Sequence, residues 1–282
     1  GAKVAVDADG SGVETTGLLV ESAPVVVVSA PDPAAQARAA SVAVGLRAPM
    51  LTAVPGGEAA LTDEVGRLGA ERVLRVGTVT FTPDDGEVVD APAGRAELEE
   101  LTGITFDSEL PLPADRVDEV AVHQVPGRPS LMVVGESTAG GDAGAASEPF
   151  AAADPAWDGD DAPRVLVHDG TPVAAIATAV ASGAAVSHLR APDPRVDGGA
   201  VEAVRDADAV YALGPGWGTE LDLADRIEQA RTVPELPGGG QLLFPGRRFV
   251  AAYGSPLPPA LWVLGGPGAG ESVARVGHGV GE

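Results

Sequence analysis

The sequence predicts an α/β protein: two Rossmann-like units, each a parallel βαβαβ repeat, with an acidic α+β insertion between them. Three observations predict it. A segment occurs twice. Val25-Val26-Val27-Val28 leads through Ser29-Ala30-Pro31 to Asp32-Pro33 and an alanine-rich stretch, and Arg164-Val165-Leu166-Val167 leads through His168-Asp169-Gly170 to Thr171-Pro172 and another. The copies meet again where Ala70–Gly77 answers Ala207–Gly214; the offset is 139 residues from Val28 to Val167 and 137 from Gly77 to Gly214, a slip of only two. Finally, each copy alternates short Val-rich runs with alanine-rich ones, as strands buried on both faces of a parallel sheet alternate with helical crossovers.

Residues 1–24 hold turn formers (Asp9-Gly10-Ser11-Gly12) and read as an extended lead-in. Residues 25–136 form the first unit with its insertion. Strands are expected at 25–29, 49–53 and 72–76. Asp32 is a good N-cap and Pro33 a good first helical residue, because proline lacks only an N–H that would be unpaired there. The helix should run to Leu46, and a second, at 57–69, places Leu61, Val65 and Leu68 on one face. Within the insertion, 93–102 reads as helix, and 118–124 and 130–135 as strands around the Pro126-Gly127 turn. Residues 137–162, dominated by Ala, Gly, Asp and Pro, read as a linker or loop.

Residues 163–282 form the second unit. Its strands are expected at 164–168, 185–190 and 209–213, with Thr171-Pro172 repeating the cap, Val201 and Val204 on the second helix, and a further helix at 219–231. Strand-like runs at 248–253 and 260–264 follow.

Length allows two ordinary domains, each with its own core. Aromatics are only 4%, so Val, Ala and Leu must build those cores. The absence of Cys excludes disulfides, thiolate metal sites and cysteine nucleophiles. No apolar run approaches the roughly 18–20 residues of a membrane helix, so the chain is not expected to span one. Gly1 stands where an initiator Met would, which reads as a mature or trimmed chain.

The net charge of −23 makes nucleic acid a poor partner, since phosphate binding needs clustered positive charge. Residues 25–79 hold five acids and five arginines (Arg38, Arg47, Arg67, Arg72, Arg75), and are neutral. The acidity lies between the copies: twelve acids against two arginines at 84–119, and seven acids without a base at 136–161.

Ser29 and Asp32 in one copy, and His168, Asp169 and Thr171 in the other, fall just past the carboxyl ends of first strands, where α/β sheets bind ligands. His168-Asp169 offers a base and a neighbour, but adjacent residues rarely orient each other as a catalytic pair must. The other histidines share no metal-ligand spacing with it. Gly214-Pro215-Gly216-Trp217-Gly218-Thr219 lies between a strand and a helix. Its spacing is G-x-G-x-G rather than G-x-G-x-x-G, and it follows the third strand of its unit rather than the first. A tight turn is favoured over a phosphate loop, and no nucleotide or other cofactor is expected. Asp7-x-Asp9-x-Ser11-Gly12 starts like a calcium loop, but Leu18 stands where the bidentate glutamate belongs. No elbow or triad supports hydrolysis, and no catalytic or metal residue is assigned.

The stretch Val25–Val28, Asp32 with its Ala-rich helix, Arg47-Ala48-Pro49-Met50-Leu51-Thr52, and Leu68-Gly69-Ala70-Glu71-Arg72-Val73 with Val76-Gly77 resembles the bacterial cell-wall-binding repeat 2 family. The match covers about 55 residues; the second copy matches loosely, through its strand ends and Gly214. Such proteins usually carry three copies, and two are visible here. The resemblance implies a non-catalytic, exported, cell-surface module of a high-GC Gram-positive bacterium, lipid-anchored before trimming. Its partner would be an anionic wall polymer or another surface protein. If it binds such a polymer, positive charge would place the contact on residues 25–79, through Arg38, Arg47, Arg67, Arg72 and Arg75, and make it weak and salt-sensitive; Thr52, Gly214, Gly216 and Trp217 are further ligand-binding candidates. The segment Gly246–Gly265 looks like a junction that precedes glycosidase-like barrels in surface proteins, so an accessory region of a carbohydrate-active enzyme is the alternative. A nucleotide- or sugar-phosphate-binding enzyme is the third reading.

Overall fold

The computed structural model describes residues 1–135, 146, 148–157, 159–196 and 198–232, with the strand backbones of 235–236, 240–242, 261–264 and 273–276. The chain opens with β1 (Ala2–Ala5) and α1 (Val13–Leu19). The first repeat follows as β2 (Val25–Ser29), α2 (Pro33–Leu46), β3 (Met50–Thr52), α3 (Glu58–Leu68) and β4 (Arg72–Val76). The insertion supplies β5 (Glu87–Asp90), α4 (Arg95–Thr102), β6 (Glu109–Pro111), α5 (Val117–Val122) and β7 (Leu131–Val133). The second repeat is β8 (Arg164–His168), α6 (Val173–Ala181), β9 (Ala185–Leu189), α7 (Gly198–Arg205) and β10 (Val210–Leu213), and α8 (Glu220–Arg231) follows. Four short strands, β11 (Glu235–Leu236), β12 (Gly240–Leu242), β13 (Leu261–Leu264) and β14 (Val273–Val276), pair antiparallel in chain order. The run expected at 248–253 lies outside the described residues.

The duplication is real in three dimensions. The first repeat orders its strands β3-β2-β4 and the second β9-β8-β10, all parallel, so the first strand of each is central. Asp32 caps α2 by accepting from the Ala35 amide at 2.9 Å, with Pro33 in the first turn, as the cap chemistry requires.

Each sheet takes its fourth strand from elsewhere in the chain. β5 adds to β4 in parallel, and β1 adds to β10 in the same way. The strand that precedes the first repeat therefore completes the sheet of the last, and the fold closes into a ring. Residues 1–24 are thus not an extended lead-in. Asp7 turns the chain into α1: its carboxylate accepts from the Glu14 and Thr15 amides and the Thr15 hydroxyl. Glu14 in return accepts from the amides of Val6 and Asp7.

The insertion is α+β, and it is built as a third, shortened unit: β6 and β7 pair in parallel on either side of α5. Residues 118–124, expected as a strand, lie mostly in α5. The valines invite a strand reading, but Val117, Val120 and Ala121 share one helical face, and α5 packs against both α2 and α6. These three helices meet one another at the centre, and each covers the second strand of another unit: α6 on β3, α2 on β7, α5 on β9.

That arrangement explains the alanines. α2 is buried on nearly every face, so it shows no polar stripe, and small side chains let the central helices approach. Gly12 belongs to the same close packing: at φ +82° it lies where a Cβ would come within 2.9 Å of the Ala174 Cβ and 3.1 Å of the Met50 carbonyl. Part of the expected linker is docked as well. Phe150 is buried, the Ala153 amide donates to the Leu46 carbonyl, and the Trp157 amide to that of Ser182. Among the described residues, no helix is long and apolar enough to cross a membrane.

Candidate functional site

The carboxyl edges of the two large sheets hold most of the residues singled out by sequence. At the first, Ser29 and Thr52 end neighbouring strands and are both buried. The Ser29 hydroxyl donates to the Ala30 carbonyl. The Thr52 amide donates to the Ser11 carbonyl, so the 9–12 turn lies beside this rim, and the Thr52 hydroxyl is buried without a partner. Asp9 accepts from the amide and hydroxyl of Ser11. The calcium-like spacing is thereby explained: Asp7 caps a helix and Asp9 shapes a turn. Burial holds the Asp7 carboxyl above its ordinary range, and its three donors offset this only in part.

At the second edge, the loops after β8 and β10 are stitched together. The Thr171 hydroxyl donates to the Leu213 carbonyl at 2.8 Å and accepts from the His168 amide at 3.0 Å. His168 Nδ1 accepts from the Gly170 amide at 3.1 Å, which places the ring proton on Nε2, 2.8 Å from the Pro215 carbonyl. Both ring nitrogens are thus engaged by the neighbouring backbone. Trp217, fully buried, donates Nε1–H to the Leu213 carbonyl at 2.9 Å and meets that imidazole edge to face, with ring centroids 5.7 Å apart. Asp169 does not pair with His168; it reaches His188 on β9, 3.1 Å away.

The glycine loop serves this packing. Gly214 lies at φ +93° with its Cβ position 2.7 Å from the Thr171 hydroxyl, and its amide donates to the Ala5 carbonyl of β1. The Thr219 amide and hydroxyl both bond Asp222, whose own amide returns a bond to that hydroxyl in a capping box. The Gly214 and Thr219 amides at the two ends of the loop are therefore spent within the fold, and Pro215 has none to give. NAD, ATP and nucleotide sugars are expected to leave the melting temperature unchanged; a saturable stabilisation abolished by Gly216→Val would overturn this.

The arginines correct the expectation of a basic wall-binding face. Arg38 is 3% exposed and donates to the carbonyls of Pro92 and Ala93 at 2.8 Å, tying α2 to the insertion. Burial holds its guanidinium below the ordinary arginine range. Arg67 pairs with Glu64 and reaches the end of α1 at the Val20 carbonyl. Arg72 pairs with Glu87, stacks on Phe150 at 3.8 Å and donates to the Glu148 carbonyl. Arg75 pairs with Asp90 and donates to the Phe81 carbonyl. Arg47, half-buried, ends α2 in the left-handed conformation. Arg38→Glu would therefore test folding and not binding. Arg38→Met should cost about 2–4 kcal/mol in chemical denaturation by stranding those carbonyls.

No protein-family model and no curated protein matches the chain. Solved structures do. Cwp8 from Clostridium difficile superposes with a TM-score of 0.51 at 13% identity, covering 82% of this chain and 51% of its own. Cwp6 from the same organism gives 0.47 at 13%, covering 76% and 46%. The chain thus spans about half the length of the solved chains it matches. At this identity the likeness to Cwp8 is one of fold.

Proposed function

We propose that the chain is a non-catalytic module of the bacterial cell surface, associated with the cell wall as part of a longer protein. The observation that carries this reading is the state of the second sheet edge. Groups that would be available for chemistry or phosphate binding in an α/β enzyme (His168, Thr171, the 214–219 loop) are used here to lock one loop onto the next. The likeness in fold to the cell-wall protein Cwp8, together with the repeat resemblance, supports the placement at the wall. The alternative, an accessory region of a carbohydrate-active enzyme, rests on the Gly246–Gly265 junction, whose residues lie mostly outside those described.

The arginine geometry changes how attachment should behave. Four of the five arginines of residues 25–79 are engaged by carboxylates or carbonyls, and the net charge is −23. Attachment to an anionic polymer by free positive charge would be weakened steeply by salt. Attachment through the folded surface would not. Co-sedimentation with purified wall fragments is expected at low and at high salt alike. Binding at low salt only would restore the electrostatic reading, and absence of binding at both would remove the wall from the account.

A further inference from the structure

The three junctions of the ring are not alike. Where α6 meets β3, the Thr178 hydroxyl accepts from the Met50 amide and donates to the Met50 carbonyl, at 3.0 and 3.2 Å. Where α2 meets β7, the Ser41 hydroxyl accepts from the Met132 amide at 2.9 Å. Each of these joins is made by a hydroxyl on a helix and the backbone of a strand. Where α5 meets β9, ionisable side chains converge instead: Asp118 from α5, His188 from β9, and Asp169 from the loop after β8.

We propose that this third junction is a binding site for a first-row divalent cation such as Zn²⁺, which clasps the shortened middle unit to the second repeat. His188 Nε2 is 3.1 Å from Asp169 Oδ1 and 3.9 Å from Asp118 Oδ2, and the three ligand atoms lie within 4.8 Å of one another. Metal–ligand bonds of about 2.0–2.2 Å at tetrahedral angles hold ligand atoms about 3.4 Å apart, so the spacing suits one ion. Nε2 is shut off from solvent and makes no hydrogen bond, although a carboxylate oxygen is near. A buried imidazole nitrogen in that condition is costly, and a cation bound to it and to both carboxylates would relieve the cost.

Access is provided. The site lies at the edge of an open cleft that also carries Glu119 and His123, and the Asp169 side chain is 75% exposed. One imidazole with two carboxylates, and room for water as a further ligand, matches a borderline cation. Ca²⁺ and Mg²⁺, which take oxygen ligands only, would leave His188 unused.

The full chain, stripped with chelator, is titrated calorimetrically with Zn²⁺ and followed by thermal melting; Co²⁺ is titrated in parallel and followed by its visible absorption. Saturable binding of one ion per chain is expected, with a higher melting temperature and no competition from Ca²⁺ or Mg²⁺. Asp169→Asn and His188→Ala should each weaken it at least about tenfold, and His123→Ala should not. Because Asp169 is exposed in a loop, Asp169→Asn keeps the test valid even where His188→Ala disturbs the sheet. No saturable binding, binding indifferent to Asp169→Asn, or displacement by Ca²⁺ would each overturn the proposal.

Discussion

Truncating Trp217 to alanine should lower the stability of the chain by about 3–5 kcal/mol, as loss of a large, fully buried aromatic does. Trp217 is 0% exposed and sits in the core of the second repeat with Leu189, Val201 and Leu223. Its loss also removes the bond to the Leu213 carbonyl and the ring contact with His168, although Thr171 still donates to that carbonyl. Trp217→Phe should retain most of the burial and cost less, about 1–2 kcal/mol for the missing N–H and the smaller ring. Denaturant titration of the pair separates packing from hydrogen bonding. A neutral Trp217→Ala would mean that the 214–219 loop is not the structural turn described above.

Deleting residues 1–6 should be at least as damaging, on the order of 3–6 kcal/mol, from the lost ladder and the burial of Ala5 together. β1 runs beside β10 over Ala2 to Ala5, and the Val210 and Gly214 amides donate to the Gly1 and Ala5 carbonyls. Without β1, the second sheet ends in β10 as a bare edge strand, which invites association between chains. Thermal melting should show an early transition for the second repeat, and gel filtration a shift to larger species. A deletion variant that melts as the intact chain does would contradict the ring.

Much of the fold was legible because its signals are local. The Val-rich first strands, the Asp32-Pro33 cap and the spacing of the third strands locate both repeats, and strands at 25–29, 72–76 and 164–168 need no adjustment. Thr171 does not repeat the cap: α6 starts after Pro172 without a side-chain cap, and the Thr171 hydroxyl is spent on His168 and Leu213. What escaped depends on contacts distant in sequence. Ala2–Ala5 is too short and plain to declare itself a strand, and its partner lies at the far end of the second repeat. Val117–Val122 carries three β-branched residues, and only its contacts with the central helices favour a helix.

The sites follow the same rule. Sequence places His168 and Asp169 together because they are adjacent, whereas the strand directs His168 inward to Pro215 and leaves Asp169 outward toward His188. The arginines read as free charge because their main partners among the carbonyls, Pro92 and Val20 among them, carry no signature in composition. Asp118 and His188 show no recognisable spacing because they come from different units. The alanine content of α2 and α6 was the one visible trace of the helix cluster on which those units meet.

The central claim is the closed ring, in which the first strand completes the last sheet. Native-state hydrogen exchange tests it most directly. The Val210 and Gly214 amides, which donate to Gly1 and Ala5, should be protected as strongly as the Ala30 amide, which donates to Val76 within the first sheet. Exchange of Val210 and Gly214 at rates near those of an open chain, with Ala30 still protected, would contradict the account.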